Sequence, residues 1–188
     1  MARIVVGISG ASGAVYGIRL LEILASHPEI ETHLVVSAAA QRTIGLETTY
    51  SVDQVLRLGD RVYDNADVGA APASGSFRTD GMVVVPCSMK TASGIANCYN
   101  DNLLVRAADV TLKEKRKLVV VPRETPLHLG HLRLLAALAE TGAVILPPMP
   151  AFYHHPRNID DVINQTVGKI LDQFNIEHHL FQRWGGAQ

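Results

Sequence analysis

Two stretches of small and hydroxyl-bearing residues each close a short apolar run, and open parallel sheets bind ligands at such strand ends. Residues 7–13, GISGASG, overlap the end of the run Ile4–Ile8, and residues 86–94, PCSMKTASG, follow Met82–Val85. Small residues let backbone N–H groups approach an anion, and the start of a following helix favours negative charge. A structural turn or an N-cap would explain the same residues. We favour a binding site for a phosphate-bearing ligand.

Charged residues follow a third apolar run. Arg123 and Glu124 stand between two prolines directly after Leu118–Val121. They could form a surface ion pair that contributes little to stability, or supply a guanidinium for phosphate and a carboxylate for proton transfer. The rigid turn between the prolines favours the second interpretation. Ser37 ends another apolar run and is expected at the same sheet edge.

Basic residues cluster along one predicted helix, Leu103–Lys113. Arg106 and Lys113 are seven residues apart and therefore share a face of that helix. Residues 115–117, Lys-Arg-Lys, continue the basic run. We expect those three side chains to form a solvated helix end.

The sequence predicts no metal site. His128 and His131 are three residues apart, but neither an HExxH motif nor a cysteine-rich partner accompanies them. The acidic pair at 160–161 completes no aspartate-rich magnesium motif. Cys87 and Cys98 form no CxxC pair, and Cys87 is expected to be a small buried thiol.

Composition limits the classes of function. The 188 residues carry 17 basic and 18 acidic side chains, a formal charge of −1, which indicates neither nucleic acid nor an anionic membrane as a partner. No apolar run approaches the ~20 residues that a membrane span needs. The first residues lack the features of a signal peptide. The expected location is the cytoplasm.

Strands and helices are predicted to alternate. Five short apolar runs predict strands buried on both faces of a parallel sheet: Ile4–Ile8, His33–Val36, Met82–Val85, Leu118–Val121 and Ala143–Leu146. Apolar residues at helical spacing predict helices over Ala14–Ala25, Leu103–Lys113 and Asp160–Phe174. The pattern indicates an α/β fold, a single-domain doubly wound parallel sheet spanning 1–188 as a Rossmann- or flavodoxin-like three-layer sandwich. Residues 59–80 and 147–158 show no periodicity and are expected to be long loops.

Taken together, these motifs resemble the UbiX-type flavin prenyltransferase family, including members paired with phenolic-acid decarboxylases. The matching blocks are GISGASGAVYGIRLLE at 7–22, SGSFRTDGMVVVPCSMKT at 74–91, RAADVTLKEKRKLVVVPRETP at 106–126, PPMPAFYHHP at 147–156 and RWG at 183–185. The resemblance covers nearly the whole chain, and the blocks in this order are more specific than any one alone.

The resemblance implies an activity. Such enzymes transfer a dimethylallyl group from dimethylallyl monophosphate to N5 and C6 of reduced FMN, without a metal. The prenylated FMN serves a partner UbiD-type decarboxylase. The resemblance also implies a homo-oligomer, with a dodecamer among the forms expected.

The resemblance assigns site residues by position. Catalytic roles fall to Ser12, Glu47 and Glu124. The FMN-binding set is Gly10, Ala11, Ser12, Ser37, Ser88, Met89, Lys90, Thr91 and Arg123. The dimethylallyl phosphate-binding set is Ser74, Gly75, Arg106, Lys113, Tyr153 and Lys169, and Trp184 would cover a neighbouring site. Position 169 is a lysine where many members have arginine.

Three other functions fit the sequence less well. A non-catalytic FMN-binding subunit of a phenolic-acid decarboxylase would not need Glu47 and Glu124. A flavin-dependent cysteine decarboxylase would need a histidine and an asparagine motif that have no counterpart here. An NAD-dependent dehydrogenase would need GxGxxG, whereas the first glycines are three residues apart.

Overall fold

A computed structural model describes residues 1–186 and contains one six-stranded parallel sheet. Its strands are β1 (Ala2–Ile8), β2 (Ile30–Val36), β3 (Arg61–Tyr63), β4 (Gly81–Cys87), β5 (Lys117–Pro122) and β6 (Val144–Ile145). The strand order is β3-β2-β1-β4-β5-β6, and every neighbouring pair is parallel. This is the order of the Rossmann fold, so the predicted doubly wound α/β class is confirmed.

Helices cover both faces of the sheet and form the outer two layers. They are α1 (Ala14–Leu24), α2 (Ala38–Glu47), α3 (Val52–Leu56), α4 (Met89–Ala96), α5 (Leu103–Lys113), α6 (Leu129–Glu140) and α7 (Ile159–Gln173). The first core cluster joins one face of the sheet to α1, α2, α3 and α7. The second joins the opposite face to α4, α5 and α6. Within residues 1–186, no helix is both long and apolar enough to cross a membrane.

The central strands are buried on both faces, as their continuous apolar sequences predict. Every residue of β4 is buried. Alternate residues divide between the two clusters: Val83 and Val85 belong to the first, Met82 and Val84 to the second. Cys87 ends this strand in the second cluster, and its burial raises the pKa of the thiol. The expectation of a small buried thiol is therefore correct.

The prediction of an unstructured loop over 59–80 is wrong in two places. Arg61–Tyr63 forms β3 at the edge of the sheet, and Ala71–Ala73 forms a turn of 3-10 helix. β3 stands at the end of the strand order beside β2, and two of its three residues are exposed, so it lacks the apolar run that marks a buried strand. The last strand is also shorter than the predicted 143–146.

The strand order reverses between the neighbouring strands β1 and β4. These neighbouring strands lead into α1 and α4, which lie on opposite faces. Helix α1 packs closely on β4, because a Cβ at Gly17 would lie 2.5 Å from the carbonyl oxygen of Val85. Diverging helices leave a crevice at the carboxyl ends of the two strands, where ligands bind in this class of fold.

Candidate active site

A cavity of about 1000 Å³ opens at this crevice. It is large enough for a cofactor-sized ligand. Members of the predicted FMN-binding set that line it are Gly10, Ser37, Ser88, Lys90 and Thr91. The other members lie outside its lining: Ala11 is buried, Met89 packs against the second core cluster, and Ser12 and Arg123 lie near Glu47.

Ser9 ties the two hydroxyl-rich turns together. Its hydroxyl donates to the carbonyl of Pro86 at 3.0 Å and accepts the N–H of Ser88 at 2.7 Å. Only 1% of Ser9 is exposed. Ser9 therefore holds the turn after β1 against the turn after β4 and does not face the cavity as a ligand.

Two of the cavity serines cap helices. The hydroxyl of Ser88 accepts the N–H of Thr91 at 3.2 Å, and that of Ser37 accepts the N–H of Ala40 at 3.1 Å. Each cap places the start of a helix, with its partial positive charge, at the cavity. The N-cap interpretation of Ser88 is thus correct, and Ser88 also lines the cavity.

Gly10 is required by close packing. A Cβ at this position would lie 2.4 Å from the Cβ of Ala39, in the first turn of α2. The turn after β1 can therefore approach the start of α2 only with glycine at position 10. Both residues line the cavity.

Glu47, the last residue of α2, reaches the start of α1. Its Oε2 accepts the N–H of Gly13 at 2.8 Å. Burial alone would raise the pKa of this carboxyl, but hydrogen bonds from the Gly13 backbone, the Ser12 hydroxyl and the Ala14 backbone outweigh it. The charge of Arg123 acts in the same direction, so the pKa of Glu47 lies below its ordinary value. An ionised carboxylate thus stands beside Ser12 and Arg123.

Glu124 has different surroundings. It is exposed, and its carboxylate accepts the N–H of the next residue, Thr125, at 3.0 Å. The backbone of Arg123 donates to the carbonyl of Cys87 at 3.1 Å, which fixes the turn after β5 beside the turn after β4. The structure therefore places Glu124 at the same sheet edge as Glu47, but on the surface of the single chain.

Sequence reasoning missed several cavity residues. Arg42 brings a cation from α2, and Tyr99 an exposed ring from the turn after α4. Asn65 lines the cavity and holds the start of α5, since its side-chain oxygen accepts the N–H of Leu104 at 3.0 Å. Arg42 and Tyr99 lie away from the strand ends, and Asn65 follows β3, the edge strand that the sequence did not predict. The signal for Arg42 in the sequence was its position, a cation about one turn after the N-cap Ser37.

Part of the predicted phosphate-binding set meets beside the 3-10 helix. A Cβ at Gly75 would meet Oε1 of Glu114 first and would lie 2.8 Å from Nζ of Lys113, which pairs with that carboxylate, so both side chains are in close contact with the loop. Nε of Arg106 donates to the carbonyl of Ala73 at 3.2 Å. The hydroxyl of Ser74 lies 2.8 Å from that of Ser76. We call Ser74, Gly75, Arg106 and Lys113 the loop group.

Tyr153 and Lys169 belong to a second cluster, at the C-terminal segment. The rings of Tyr153 and Trp184 meet edge to face with centroids 6.0 Å apart. Nζ of Lys169 lies 3.6 Å from Oδ2 of Asp172. Arg183 donates two hydrogen bonds to the same carboxylate, one to Oδ1 at 2.6 Å and one to Oδ2 at 3.1 Å. The bond from Arg183 lowers the pKa of Asp172 despite partial burial. We call Tyr153 and Lys169 the tail group.

The single chain does not bring these groups together. Lys113 ends α5 in the layer of the second core cluster, whereas Lys169 lies on α7 in the layer of the first. The sheet separates them. The flavin-sized cavity lies at the carboxyl edge, whereas β5 begins four residues after Lys113. Lys169 also lies toward the amino edge, because four residues later the carbonyl of Gln173 accepts a hydrogen bond from the side chain of Lys117, the first residue of β5. The loop group, the tail group and the cavity are therefore three separate places in one subunit.

Large apolar side chains are exposed near the carboxyl edge. Leu129 and Leu132 on α6 are 60% and 51% exposed, and Met149 and Phe152 in the following loop are both 69% exposed. His128 caps α6, with Nδ1 accepting the N–H of Gly130 at 3.0 Å. In residues 1–186 no group of three or more His, Cys, Asp or Glu side chains is arranged to hold a metal ion.

The amino-acid sequence of this chain matches those of known proteins. The model of the Flavoprotein family matches residues 1–172. Flavin prenyltransferase UbiX of Escherichia coli (strain K12) is 60% identical over 189 aligned positions that cover all of both chains.

Solved structures are similar to this chain as well, among them the following two. A dodecameric FMN-dependent UbiX-like decarboxylase from Escherichia coli O157:H7 has a TM-score of 0.96 and 52% identity, covering 98% of this chain and 100% of its own. The AnUbiX (PadA1) complex with FMN and dimethylallyl pyrophosphate also has a TM-score of 0.96, with 48% identity, covering 100% and 99%. Fold, cavity and full-length identity agree: this chain belongs to the UbiX flavin prenyltransferase family.

Proposed function

We propose that this protein transfers a dimethylallyl group from dimethylallyl monophosphate to reduced FMN. The observation that carries the proposal is the cavity at the β1–β4 crevice, with serine-capped helix starts on its walls, in a chain 60% identical to a flavin prenyltransferase. Reduced FMN supplies the electron-rich N5 and C6 atoms that form the new bonds.

The cavity residues suit FMN. One phosphate and a ribityl chain need hydrogen-bond donors and a cation, which Ser37, Ser88, Thr91 and Lys90 offer along the walls. The start of α4 adds N–H groups for the phosphate. In our proposal Gly10 and Ala11 let the backbone approach the flavin, Met89 packs beside it, and Arg123 contributes charge at the same edge.

The loop and tail groups suit the phosphate of the donor. Ser74 and Gly75 would bind it from one side, with Lys113 and Arg106, and Tyr153 and Lys169 from the other. As the allylic C–O bond breaks, the leaving phosphate gains charge, and fixed cations stabilise it without reorganising. Lys169 keeps the charge of an arginine but not its two-pronged geometry.

Proton transfer is assigned to three side chains. Glu47 would act as the base, because its lowered pKa keeps it ionised at neutral pH. Ser12 donates a hydrogen bond to it and would relay the proton of N5. Glu124, on the rigid turn after β5, would serve the phosphate or the flavin as the second carboxylate.

The active unit in this proposal is a homo-oligomer. Cavity, loop group and tail group lie apart in one chain, so a complete site needs contributions from neighbouring copies. The exposed Leu129, Leu132, Met149 and Phe152 supply apolar surface for such contacts. The similar UbiX-like decarboxylase is dodecameric, which supports a large assembly here. The prenylated flavin would pass to a UbiD-type decarboxylase.

Identification of the flavin product tests the proposal. The protein is incubated without oxygen with reduced FMN and dimethylallyl monophosphate, and the extracted flavin is examined by mass spectrometry. We expect a flavin heavier by one isoprene unit, formed equally with a chelator present. Unchanged FMN that is nevertheless bound would favour the non-catalytic accessory subunit and overturn the proposal. A parallel reaction with the diphosphate identifies the preferred donor.

A further inference from the structure

Arg116 fastens the loop that carries Ser74 and Gly75. Its Nη2 donates to the carbonyl of Gly75 and its Nη1 to the carbonyl of Phe77, each at 2.8 Å. The sequence interpretation of 115–117 as a solvated helix end is therefore wrong for this residue. The guanidinium is half-buried and spans two carbonyls that are two residues apart.

A second contact holds the same loop to the sheet. The ring of Phe77 packs edge-on against His33 of β2, with centroids 5.0 Å apart. The guanidinium of Arg3 lies 5.2 Å from the centre of the Phe77 ring on another side. His33 is only 2% exposed, so Phe77 rests on a rigid part of the core. Phe77 fixes one end of the loop. Arg116 determines the direction in which the carbonyls of Gly75 and Phe77 point.

Four of the five carbonyls from Ala73 to Phe77 accept a hydrogen bond, whereas two N–H groups of the same stretch have no partner in the described part of the chain. Arg106 donates to the carbonyl of Ala73, and Arg116 donates to the carbonyl of Gly75. The N–H of Phe77 donates to the carbonyl of Ser74 at 3.2 Å. Within residues 1–186 the N–H groups of Gly75 and Ser76 have no hydrogen-bond partner.

Peptide geometry then determines where one of these donors points. The carbonyl and N–H of one peptide group point in opposite directions. Because the Gly75 carbonyl faces Arg116, the N–H of Ser76 is turned away from it. The hydroxyls of Ser74 and Ser76 lie 2.8 Å apart beside these donors. Successive unpaired N–H groups with neighbouring hydroxyls form a concave site for an anion.

We propose that Arg116 is a positioning residue for the phosphate of the allylic donor. It does not touch the phosphate. It holds the Gly75 and Phe77 carbonyls away from the anion, so that the loop presents N–H and hydroxyl donors instead of carbonyl oxygens. This inference rests on the proposed function, in which Ser74 and Gly75 bind the donor.

Two readouts in Arg116→Ala, Arg116→Lys and the control Lys115→Ala test the inference. The first is the donor KM beside the FMN Kd and the melting temperature. The second is calorimetric titration of the FMN-saturated protein with inorganic phosphate, which needs no turnover. Lys115 is exposed, and its replacement by alanine removes one positive charge at the position next to Arg116.

We expect Arg116→Ala to raise the donor KM and the phosphate Kd about tenfold, equivalent to ~1.4 kcal/mol, with FMN binding unchanged. Arg116→Lys should weaken both by a smaller factor, since an ammonium cannot span two carbonyls. If Arg116→Ala does not fold, the donor KM and phosphate Kd of Arg116→Lys test the inference instead. Lys115→Ala should match wild type.

Two results would overturn the positioning role. One is wild-type phosphate affinity in both Arg116 variants. The other is an equal loss of phosphate and FMN affinity with a lower melting temperature, which would mean a purely structural role. A wild-type protein that binds phosphate at this loop but transfers no dimethylallyl group would instead reject the proposed function.

Discussion

Glu47 and Glu124 stand at the same sheet edge but differ in what holds them. Glu47 accepts the N–H of Gly13 and lies beside Ser12 and Arg123, whereas Glu124 is exposed and accepts the backbone N–H of its neighbour Thr125. The hydrogen bonds that lower the pKa of Glu47 favour its ionised form. The structure therefore fixes the charge and the position of Glu47 beside Ser12, which is the arrangement expected of a proton-transfer group at the start of α1.

Glu47→Gln should slow prenyl transfer by ~10²–10⁴, the usual contribution of a positioned acid or base. The amide oxygen can still accept the N–H of Gly13, so the turn after β1 and the affinity for FMN should be kept. Single-turnover rates beside an FMN titration measure both quantities. Transfer at the wild-type rate would remove Glu47 from the mechanism, and lost FMN binding would make it structural.

At the scale of elements, Asp172 holds the C-terminal segment against α7. It accepts two hydrogen bonds from Arg183, and His178 lies 3.1 Å away. Trp184, the residue after Arg183, contacts Tyr153 of the tail group. Because Trp184 is the only tryptophan, its fluorescence reports directly on whether this segment is docked.

Asp172→Asn should release the segment, shift the Trp184 emission to the red and raise the donor KM. Acid should have the same effect. The folded pKa of Asp172 is lowered, so its stabilisation is present above the unfolded pKa of about 4 and is lost as the pH falls through the folded pKa.

The control for this prediction is Glu177→Gln, which changes an exposed carboxyl in the same segment. It should leave both the emission and its acid transition in place. If Asp172→Asn keeps the wild-type emission and donor KM, the Asp172–Arg183 contact does not dock the segment.

Elements differ in how far the sequence determines them. The buried strands β1, β2, β4 and β5 were predictable because both faces are apolar, and α5 matches its predicted bounds of 103–113. β3 was not, since an edge strand needs only one partner and two of its three residues are exposed. Arg116 was missed for a different reason: its partners are carbonyls, and any residue type supplies a carbonyl.

The whole molecule explains why the site could be predicted only in pieces. Strand ends and helix caps located the cavity, because motif and chemistry coincide there. The resemblance supplied Ser74, Lys113, Tyr153 and Lys169, but no pattern in the sequence states that the sheet separates them. In one chain these residues lie on opposite layers, so the complete site depends on how copies assemble.

Subunit complementation tests this composite site most directly. Glu47→Gln damages the cavity side, and Lys169→Ala damages the tail side. Each variant alone should transfer dimethylallyl groups poorly. The two chains are co-expressed with different tags, and the mixed oligomer is isolated by sequential purification.

Prenyl transfer by the mixed oligomer is the decisive measurement. If each site takes Glu47 from one subunit and Lys169 from another, random mixing makes roughly a quarter of the sites intact at both positions, and activity returns to that fraction of wild type. If each site is built within one chain, every site carries a lesion, and the mixed oligomer stays as inactive as the two parents. That result, or a monomer that prenylates FMN, would contradict the account.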